Sequence, residues 1–268
     1  MSGMELPKGV AIVTGAAGGM GSAVARQLAQ AGWHELLLCD LHAERLEAVA
    51  ADLQAAGNQV DCVAGDVADP AWPAKILAAL GDRPIAALVH TAGISPLQGT
   101  PERILAVNLD ASVRLVDAVR DRMAPGSAAV LFASNSSYFP MPAEAAAAFT
   151  QALPAEGALG LLPFVPDSNA AYVLSKLGVR ALVKREAKSF GARGARLVSM
   201  SPGAIDTPMT QGQSFTFAQR MVDASASGRM GTPDELAAVA LFLCSPAASF
   251  VTAVDWLVDG GHTAGMGF

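Results

Sequence analysis

Short runs of apolar residues recur along the chain and alternate with segments of helical composition. Uninterrupted apolar runs of this length are typical of strands that are buried on both faces of a sheet. The alternation predicts right-handed crossovers and therefore an α/β fold: a mostly parallel sheet with helices on both faces. The seven predicted strands are Val10 to Val13, Leu36 to Cys39, Val60 to Val63, Ile85 to Val89, Ala128 to Ala133, Arg196 to Met200 and Val254 to Val258.

Three places have the sequence of a helix start, in which a capping residue precedes proline at the first helical position. They are Asp69-Pro70, Thr100-Pro101 and Thr232-Pro233. The last also has Glu235 three residues after the threonine, a capping-box pattern in which two side chains bind backbone N–H groups reciprocally. No internal repeat or linker is visible, so we expect residues 1–268 to form a single domain.

One long segment departs from the regular alternation. More than 30 residues separate the strand that we expect to end at Ser134 from the helix that carries Tyr172. Long insertions in compact domains are usually functional or disordered. A solvated loop would not carry many large apolar residues, so we expect an inserted, folded subdomain at about 138–167. The apolar residues are Phe149, Leu153, Leu159, Leu161, Leu162 and Phe164.

The composition narrows the class of protein. Of 268 residues, 52% are hydrophobic and 16% charged, which suits a large core around a covered sheet. A net charge of −6 argues against a nucleic-acid or anionic-membrane surface. Without a visible signal peptide or membrane-spanning run, we expect a cytoplasmic protein. Cys39, Cys62 and Cys244 are expected to be buried thiols, and no metal-ligand spacing is present.

A glycine-rich turn follows the first predicted strand. Residues 14–21 read TGAAGGMG and lead into a segment of helical composition. Strand, glycine turn and helix are the context of a dinucleotide site, because glycines let the backbone approach a pyrophosphate and the helix N-terminus offers it free N–H groups. This interpretation predicts a Rossmann-type, doubly wound fold. An ordinary glycine turn is the alternative.

An acidic residue ends the second predicted strand. Asp40 lies about 20 residues beyond the glycine turn, where a carboxylate accepts hydrogen bonds from a ribose hydroxyl pair. A 2′-phosphate at this place would be repelled by the carboxylate, and the glycine turn contains no Lys or Arg to attract one. The sequence therefore favours NAD over NADP. The alternative is that Asp40 only ends a strand.

A phenol and an ammonium group lie four positions apart in Tyr172-Val173-Leu174-Ser175-Lys176. Four residues are about one helical turn, so both side chains share a face of the predicted helix. A nearby positive charge stabilises a tyrosinate, so we expect Lys176 to lower the pKa of Tyr172. Tyr172 is then a candidate general acid/base near neutral pH. A solvated surface pair is the alternative.

In their order, these motifs resemble those of the classical short-chain dehydrogenase/reductase (SDR) family over nearly the whole chain. Each motif alone is weak, but the ordered set is specific. The matching residues are Thr14, Gly15, Gly19 and Gly21 of the family's TGxxxGxG turn, Asp66-Val67 of its DV pair, Asn108, Tyr172 and Lys176 of its catalytic tetrad, Pro202, Gly203 and Thr207 of its PGxxxT stretch, and Val258 to Gly261 of its VDGG end.

The resemblance implies an NAD site and one local departure from the family. Thr91, in Thr91-Ala92-Gly93, stands where the family usually has Asn and is preceded by His90. Because that Asn mainly braces the backbone, we expect altered local geometry rather than lost activity. The cofactor-binding residues implied are Gly15, Gly19, Met20, Gly21, Asp40, Asp66, Val67, Ala92, Gly93, Tyr172, Lys176, Pro202, Gly203, Ile205 and Thr207.

The resemblance also implies a catalytic set. Tyr172 would exchange the proton of an alcohol, Lys176 would hold the nicotinamide ribose, and Asn108 would orient a water that connects Lys176 to solvent. The serine at the strand end would bind the substrate oxygen. The run Ala133-Ser134-Asn135-Ser136 makes Ser134 the first choice and Ser136 the alternative, since the insertion leaves the registration open by a residue or two.

We therefore expect an NAD-dependent oxidoreductase that interconverts a secondary alcohol and a ketone. Apolar residues after Gly203 would form a lid over a bulky, largely apolar substrate of the hydroxysteroid, aryl or alicyclic type. The alternatives are an NADPH-dependent ketoacyl-carrier-protein reductase and a non-catalytic dinucleotide-binding regulator. His262 is expected to be solvated, or else to line the substrate side. The lid residues are Met209, Phe215, Phe217 and Met221.

The resemblance finally implies a homo-oligomer, a dimer or a tetramer. Family members use one interface made by the Tyr-bearing helix and another made by the last helix and last strand. The insertion enters directly ahead of Tyr172, so we expect it to modify or block the first interface. A dimer is then favoured over the usual tetramer. The alternative, compatible with the first, is that the insertion caps the substrate pocket, since it starts beside Ser134.

Overall fold

A sheet of seven parallel strands forms the centre of the protein, as the spacing of the apolar runs predicts. The computed structural model describes residues 5–210 and 215–267. The strand order is β3-β2-β1-β4-β5-β6-β7, so the order reverses between β1 and β4, which confirms the doubly wound α/β fold. The strands are β1 Val10–Thr14, β2 Glu35–Asp40, β3 Gln59–Ala64, β4 Ile85–His90, β5 Met123–Phe132, β6 Arg196–Pro202 and β7 Asp255–Val258.

Helices cover both faces of this sheet. A π-helical turn, Ala106–Asp110, joins α4 to α5, and short 3₁₀ turns at Asn135–Tyr138 and Gly157–Phe164 lie between β5 and α7. The helices are α1 Gly19–Gln30, α2 Ala43–Ala55, α3 Trp72–Leu80, α4 Pro101–Leu105, α5 Ala111–Val119, α6 Ala143–Thr150, α7 Ser168–Gly191, α8 Phe215–Asp223, α9 Pro233–Cys244 and α10 His262–Gly265.

Two hydrophobic cores lie on opposite faces of the sheet. Successive side chains of a strand point to opposite faces, so Val10 and Ile12 of β1 enter the core beneath α3, α5 and α7, whereas Ala11 and Val13 enter the core beneath α1, α2 and α9. Full burial of each large aliphatic side chain contributes roughly 1.5–3 kcal/mol. The unbroken apolar strands of the sequence follow from this two-sided burial.

Two of the three helix starts that the capping patterns predict are confirmed. The Thr100 hydroxyl accepts a hydrogen bond from the Arg103 N–H at the start of α4, and Thr232 forms the expected capping box with Glu235 at the start of α9. The third prediction is wrong, because α3 begins at Trp72. There the Asp69 carboxylate binds the Ala71 N–H within a turn that precedes the helix.

The segment before α7 folds as an added layer. Strand β5 ends at Phe132, two residues before the expected end. Helix α6 buries Ala145 and Phe149, and the following 3₁₀ turn buries Ala158 and Leu161, all in the core that α7 also lines. The inserted subdomain therefore extends this core and does not enclose a separate one.

Two further expectations concern membranes and cysteines. Among the described residues, none of the helices combines the length and apolar character that crossing a bilayer requires. Cys39 and Cys244 are buried as expected, and burial raises the pKa of both thiols. Cys62 is exposed, contrary to expectation, because it lies in β3, the edge strand of the sheet, where burial is incomplete.

Candidate active site

The glycine turn brings β1 and β4 into close contact. Gly15 has φ +69°, a left-handed conformation that favours glycine, and a Cβ there would lie 2.7 Å from the Thr91 hydroxyl. A Cβ on Gly21 would collide with the Gly15 carbonyl. Thr91, the departure from the family pattern, donates to the Thr14 carbonyl at 2.7 Å and so braces the turn. The Thr91 hydroxyl thus braces the backbone at the position where the family usually has Asn.

The N-terminus of α1 fits a pyrophosphate. Gly18 caps the helix without a side-chain hydrogen bond, and the first turn, which includes Met20, contains no acidic residue. Free N–H groups and the helix dipole are therefore available to an anion. A Cβ on Gly19 would lie 3.1 Å from the Thr207 methyl group, so the loop after β6 faces the glycine turn across a narrow groove.

Asp40 lies where β2 ends and is buried. One carboxylate oxygen accepts the Ala17 N–H at 2.9 Å and the other accepts the His42 N–H at 3.0 Å. Each carboxylate oxygen can accept a second hydrogen bond. The arrangement holds the carboxylate rigidly beside the glycine turn, with acceptor capacity remaining for a ribose diol.

The other expected cofactor residues follow the same edge of the sheet. Asp66 accepts the Ala68 N–H and forms a 2.8 Å ion pair with Arg103, while Val67 is buried beside it. A Cβ on Gly203, which follows Pro202, would lie 2.7 Å from the Asp259 backbone. Buried Ile205 and Thr207 continue the loop. All these residues lie on the loops that leave the carboxyl ends of the strands, where doubly wound proteins bind ligands.

Helix α7 carries the Tyr/Lys pair into the site. The Asp167 carboxylate caps it by accepting the Ala170 N–H at 2.8 Å. The Lys176 ammonium is buried and donates to the Phe132 carbonyl at 3.0 Å. A Cβ on Gly93, next to Ala92, would lie 3.2 Å from this ammonium. The ammonium has three donors, so those not used by Phe132 fit the ribose hydroxyls of a dinucleotide.

The expected lowering of the Tyr172 pKa by Lys176 is wrong. The ammonium lies 5.9 Å from the Tyr172 ring centre and is itself desolvated, which lowers the pKa of Lys176 to about 8. Burial of the phenol raises the pKa of Tyr172, and the neighbouring Ser134 hydroxyl opposes that rise. Desolvation disfavours the charged form of each group, and sequence spacing cannot report it.

The run after β5 distinguishes the two candidate serines. Ser134 lies beside Tyr172, and its hydroxyl opposes the rise of the Tyr172 pKa that burial causes. The Ser136 hydroxyl donates to the Ser134 oxygen at 3.0 Å, and the Ser136 N–H donates to the same oxygen at 3.2 Å. Ser134 is therefore placed at the phenol, and Ser136 lies behind it. Sequence reasoning ranked the two but missed their contact.

Asn108 occupies the π-helical turn between α4 and α5. Its side chain accepts the Ile94 N–H at 2.9 Å and donates to the Ile94 carbonyl at 3.0 Å. The amide thus fixes the loop that follows Gly93 next to Lys176. A water-orienting role for Asn108 stays a prediction.

A buried chain of polar side chains, missed by sequence reasoning, connects the glycine turn to Asn108. His90 lies 2.7 Å from the Thr14 hydroxyl and 3.1 Å from the Ser112 hydroxyl, and Ser112 donates to the Asn108 carbonyl at 2.9 Å. Burial and the charge of Lys176 lower the pKa of His90 to about 3. A histidine at the end of an otherwise apolar strand was the available signal.

His262 is buried, so the expectation of a solvated residue is wrong. Asn135 donates to its Nδ1 atom at 2.9 Å, and its ring contacts Phe139 edge-on at 6.0 Å between ring centres. His262 also lines a cavity of about 140 Å³ with Met221 of α8. That volume is well below the roughly 300 Å³ of the smallest ligand pockets, so the cavity alone does not define the substrate site.

The expected lid is divided between core and surface. In α8 the side chain of Met221 is buried, whereas Phe215 and Phe217 are exposed. Met209 lies in a 3₁₀ turn just after the loop from β6. Residues 211–214 of the expected lid lie outside the described part of the chain.

The fold and this arrangement are those of an α/β protein with a dinucleotide-type glycine turn and a buried Tyr/Lys pair. Comparison with known families agrees. The model of the short chain dehydrogenases matches residues 9–150, and a model described as enoyl-(acyl carrier protein) reductase matches residues 159–263. The first match ends and the second begins within the insertion. The chain belongs to the short-chain dehydrogenase/reductase family, whose members bind nicotinamide dinucleotides.

Individual relatives are alcohol dehydrogenases. Galactitol 2-dehydrogenase (L-tagatose-forming) of Cereibacter sphaeroides is 34% identical over 94% of each chain. Cis-4-hydroxycyclohexanecarboxylate dehydrogenase of Sinomonas cyclohexanicum is 33% identical over 95% of this chain and 96% of its own. A glucose/ribitol dehydrogenase-type SDR structure from Brucella melitensis superimposes with a TM-score of 0.78 at 29% identity, covering 97% and 98%. These relatives support an alcohol oxidoreductase.

Proposed function

We propose that this protein is an NAD-dependent oxidoreductase that interconverts a secondary alcohol and a ketone. The observation that carries the proposal is the convergence of Ser134, Tyr172 and Lys176 at the edge of the sheet where Gly93 follows β4. An acid–base group, a hydroxyl donor and a buried ammonium meet there beside a dinucleotide turn. A regulator without turnover would not need this set.

In the oxidation direction the proton and the hydride leave the alcohol by different routes. Tyr172, as phenolate, accepts the hydroxyl proton, and Ser134 donates a hydrogen bond to the oxygen as negative charge develops on it. Bound NAD would supply the acceptor for the hydride of the alcohol carbon, and this two-electron oxidation would give the ketone and NADH. The Lys176 ammonium would bind the ribose hydroxyls of the cofactor with the donors that the Phe132 carbonyl leaves free.

The cofactor preference rests on Asp40. Its buried carboxylate is fixed by two backbone N–H groups at the end of β2. A ribose diol can donate to the remaining lone pairs, whereas a 2′-phosphate would place negative charge against a carboxylate. The same residue disfavours the alternative of an NADPH-dependent ketoacyl-carrier-protein reductase.

For the substrate we propose a bulky, largely apolar ring alcohol. Exposed Phe215 and Phe217 on α8 can cover such a ring, and a relative that oxidises a hydroxycyclohexane carboxylate supports an alicyclic substrate. The galactitol-oxidising relative favours an open-chain polyol as the second candidate. Apolar lid side chains leave polyol hydroxyls without partners, which argues for the ring.

A panel assay tests the proposal. Turnover is measured with alicyclic alcohols, hydroxysteroids and polyols and, in the reverse direction, with a ketoacyl thioester, each with both cofactors. Binding of NADH and of NADPH is measured separately by fluorescence titration. We expect tight NADH binding and the fastest turnover with alicyclic alcohols. Preference for NADPH and the thioester would contradict the proposal, and binding of NADH without turnover of any alcohol would favour the regulator. Tyr172→Phe is the control for uncatalysed background.

A further inference from the structure

Ser134 uses both of its acceptor positions within the protein. A hydroxyl oxygen has one proton to donate and two lone pairs with which to accept. Ser136 fills both acceptor positions, its N–H at 3.2 Å and its O–H at 3.0 Å. The remaining interaction that Ser134 can make is donation of its own proton, and the phenol of Tyr172 is the group beside it.

This direction matters for the proposed reaction. In alcohol oxidation the substrate oxygen gains negative charge as its proton leaves, and a hydrogen-bond donor stabilises that charge while an acceptor does not. A serine with a free lone pair can rotate and accept from the alcohol instead. The contact from Ser136 removes that choice, and a chain of hydrogen bonds pointing the same way strengthens each member.

We propose that Ser136 is a positioning residue that makes Ser134 an obligate hydrogen-bond donor to Tyr172 and to the substrate oxygen. Only the part of this inference that concerns the substrate oxygen rests on the proposed function. Ser136 is buried and acts through Ser134. The neighbouring Ser137 is also buried, but its hydroxyl accepts from Arg180, and among the described residues it forms no hydrogen bond with the Ser134 hydroxyl.

Tyrosine titration tests the inference without any substrate. The chain has two tyrosines, and Tyr138 has a pKa raised to about 12 by burial and by Asp255. The near-ultraviolet absorbance of tyrosinate, minus the same titration of Tyr172→Phe, isolates Tyr172. Loss of the donor disfavours the phenolate, so Ser136→Ala should raise the pKa of Tyr172. Lys176, 5.9 Å from the ring centre, is unchanged in every variant.

Matched variants separate positioning from a general structural effect. Ser136→Thr keeps the hydroxyl and should titrate like the wild type, as should the control Ser137→Ala. Once Ser134 is replaced by Ala, the additional change Ser136→Ala should have no further effect, because coupled residues are not additive. Thermal unfolding checks that each variant is folded.

Turnover supplies the second measurement. Ser136→Ala should lose about tenfold in kcat with unchanged NADH affinity, less than the roughly 100-fold loss typical of removing an oxyanion donor. The inference would be overturned if Tyr172 had the same pKa in Ser136→Ala as in the wild type. It would also be overturned if Ser136→Ala shifted the pKa of Tyr172 further in a protein that already carries Ser134→Ala. If the titration shifts as expected but no alcohol is oxidised by the wild type, the proposed function fails while the contact to Tyr172 stands.

Discussion

The Nδ1 atom of His90 lies 2.7 Å from the hydroxyl oxygen of Thr14, and both side chains are buried under the glycine turn. The Ser112 hydroxyl donates its only proton to the Asn108 carbonyl, so the Nε2 atom of His90 must be the donor in its contact with Ser112. The neutral ring then has no proton on Nδ1, which accepts the Thr14 O–H. Protonation of His90 would set two donors against each other at this contact.

Stability should therefore fall in acid through His90. Its pKa is about 3 in the folded protein and about 6.5 in an unfolded chain. Between these values the unfolded state binds the proton and the folded state does not, so stability is full above pH 6.5 and is lost as pH falls toward 3, by at most about 1.4 kcal/mol per unit.

The measurement is the free energy of unfolding in denaturant at pH 7 and pH 5, for the wild type and for His90→Gln. The wild type should lose about 2 kcal/mol more than the variant over this interval. Other groups, such as His262, titrate in both proteins and cancel in the difference. Equal losses would show that His90 does not titrate as its burial requires.

Removal of the Tyr172 hydroxyl should abolish the chemistry and spare the cofactor. Tyr172→Phe should lose at least about 100-fold in kcat, the usual scale for a general acid/base, with little change in NADH affinity. Because burial raises the pKa of Tyr172, alcohol oxidation by the wild type should go on rising with pH into the alkaline range. Near-normal turnover of the variant, or a flat profile in a chemistry-limited assay, would exclude the assignment.

Replacement of Asp40 should narrow the cofactor preference. Asp40→Ala removes the carboxylate that repels a 2′-phosphate, so NADPH affinity should rise while NADH affinity falls, since the ribose loses its acceptor. Fluorescence titration of both cofactors measures the ratio. Asp61→Ala is the control, because Asp61 is an exposed carboxylate on the neighbouring strand. An unchanged ratio in Asp40→Ala would place the selectivity elsewhere.

Local spacing predicts part of this site, and long-range packing determines the rest. The Tyr172/Lys176 pair and the glycine turn depend on one helical turn and one strand–helix junction, so the sequence contains them. The contact of Asn135 with His262 joins residues 127 positions apart, and its existence depends on how the chain after β7 folds back over β5. Desolvation of Tyr172 likewise depends on the whole fold.

Phe149 should anchor the insertion to the main core. It is buried against α7, where a Cβ on Gly178 would approach the Phe149 carbonyl at 3.4 Å. Phe149→Ala should cost roughly 3–5 kcal/mol of unfolding free energy, measured in denaturant. Leu159→Ala, an exposed residue of the same insertion, should change it by less than about 0.5 kcal/mol. A small effect of Phe149→Ala would mean that the insertion unfolds separately.

The surface around β7 predicts how the protein assembles. Phe242 of α9 packs on Trp256 with 5.4 Å between ring centres, and Phe250, Val254 and Leu257 are exposed beside them. Exposed apolar patches are typical of interaction sites, so we expect these residues to lie in an interface. The insertion covers part of α7, the helix at which the family resemblance implies the other interface. We therefore expect a homodimer through β7 and α9 rather than a tetramer.

Two substitutions that each introduce a negative charge test this assembly, and light scattering measures the molar mass of each variant. Phe250→Glu places a charge on the fully exposed aromatic of the β7 patch and should convert the dimer to a monomer, because the charge would be desolvated without a partner. Leu159→Glu places the same charge on the insertion and should leave the dimer intact. Dissociation by Leu159→Glu alone would make the insertion itself the interface, and a wild-type tetramer would show that the insertion does not block α7.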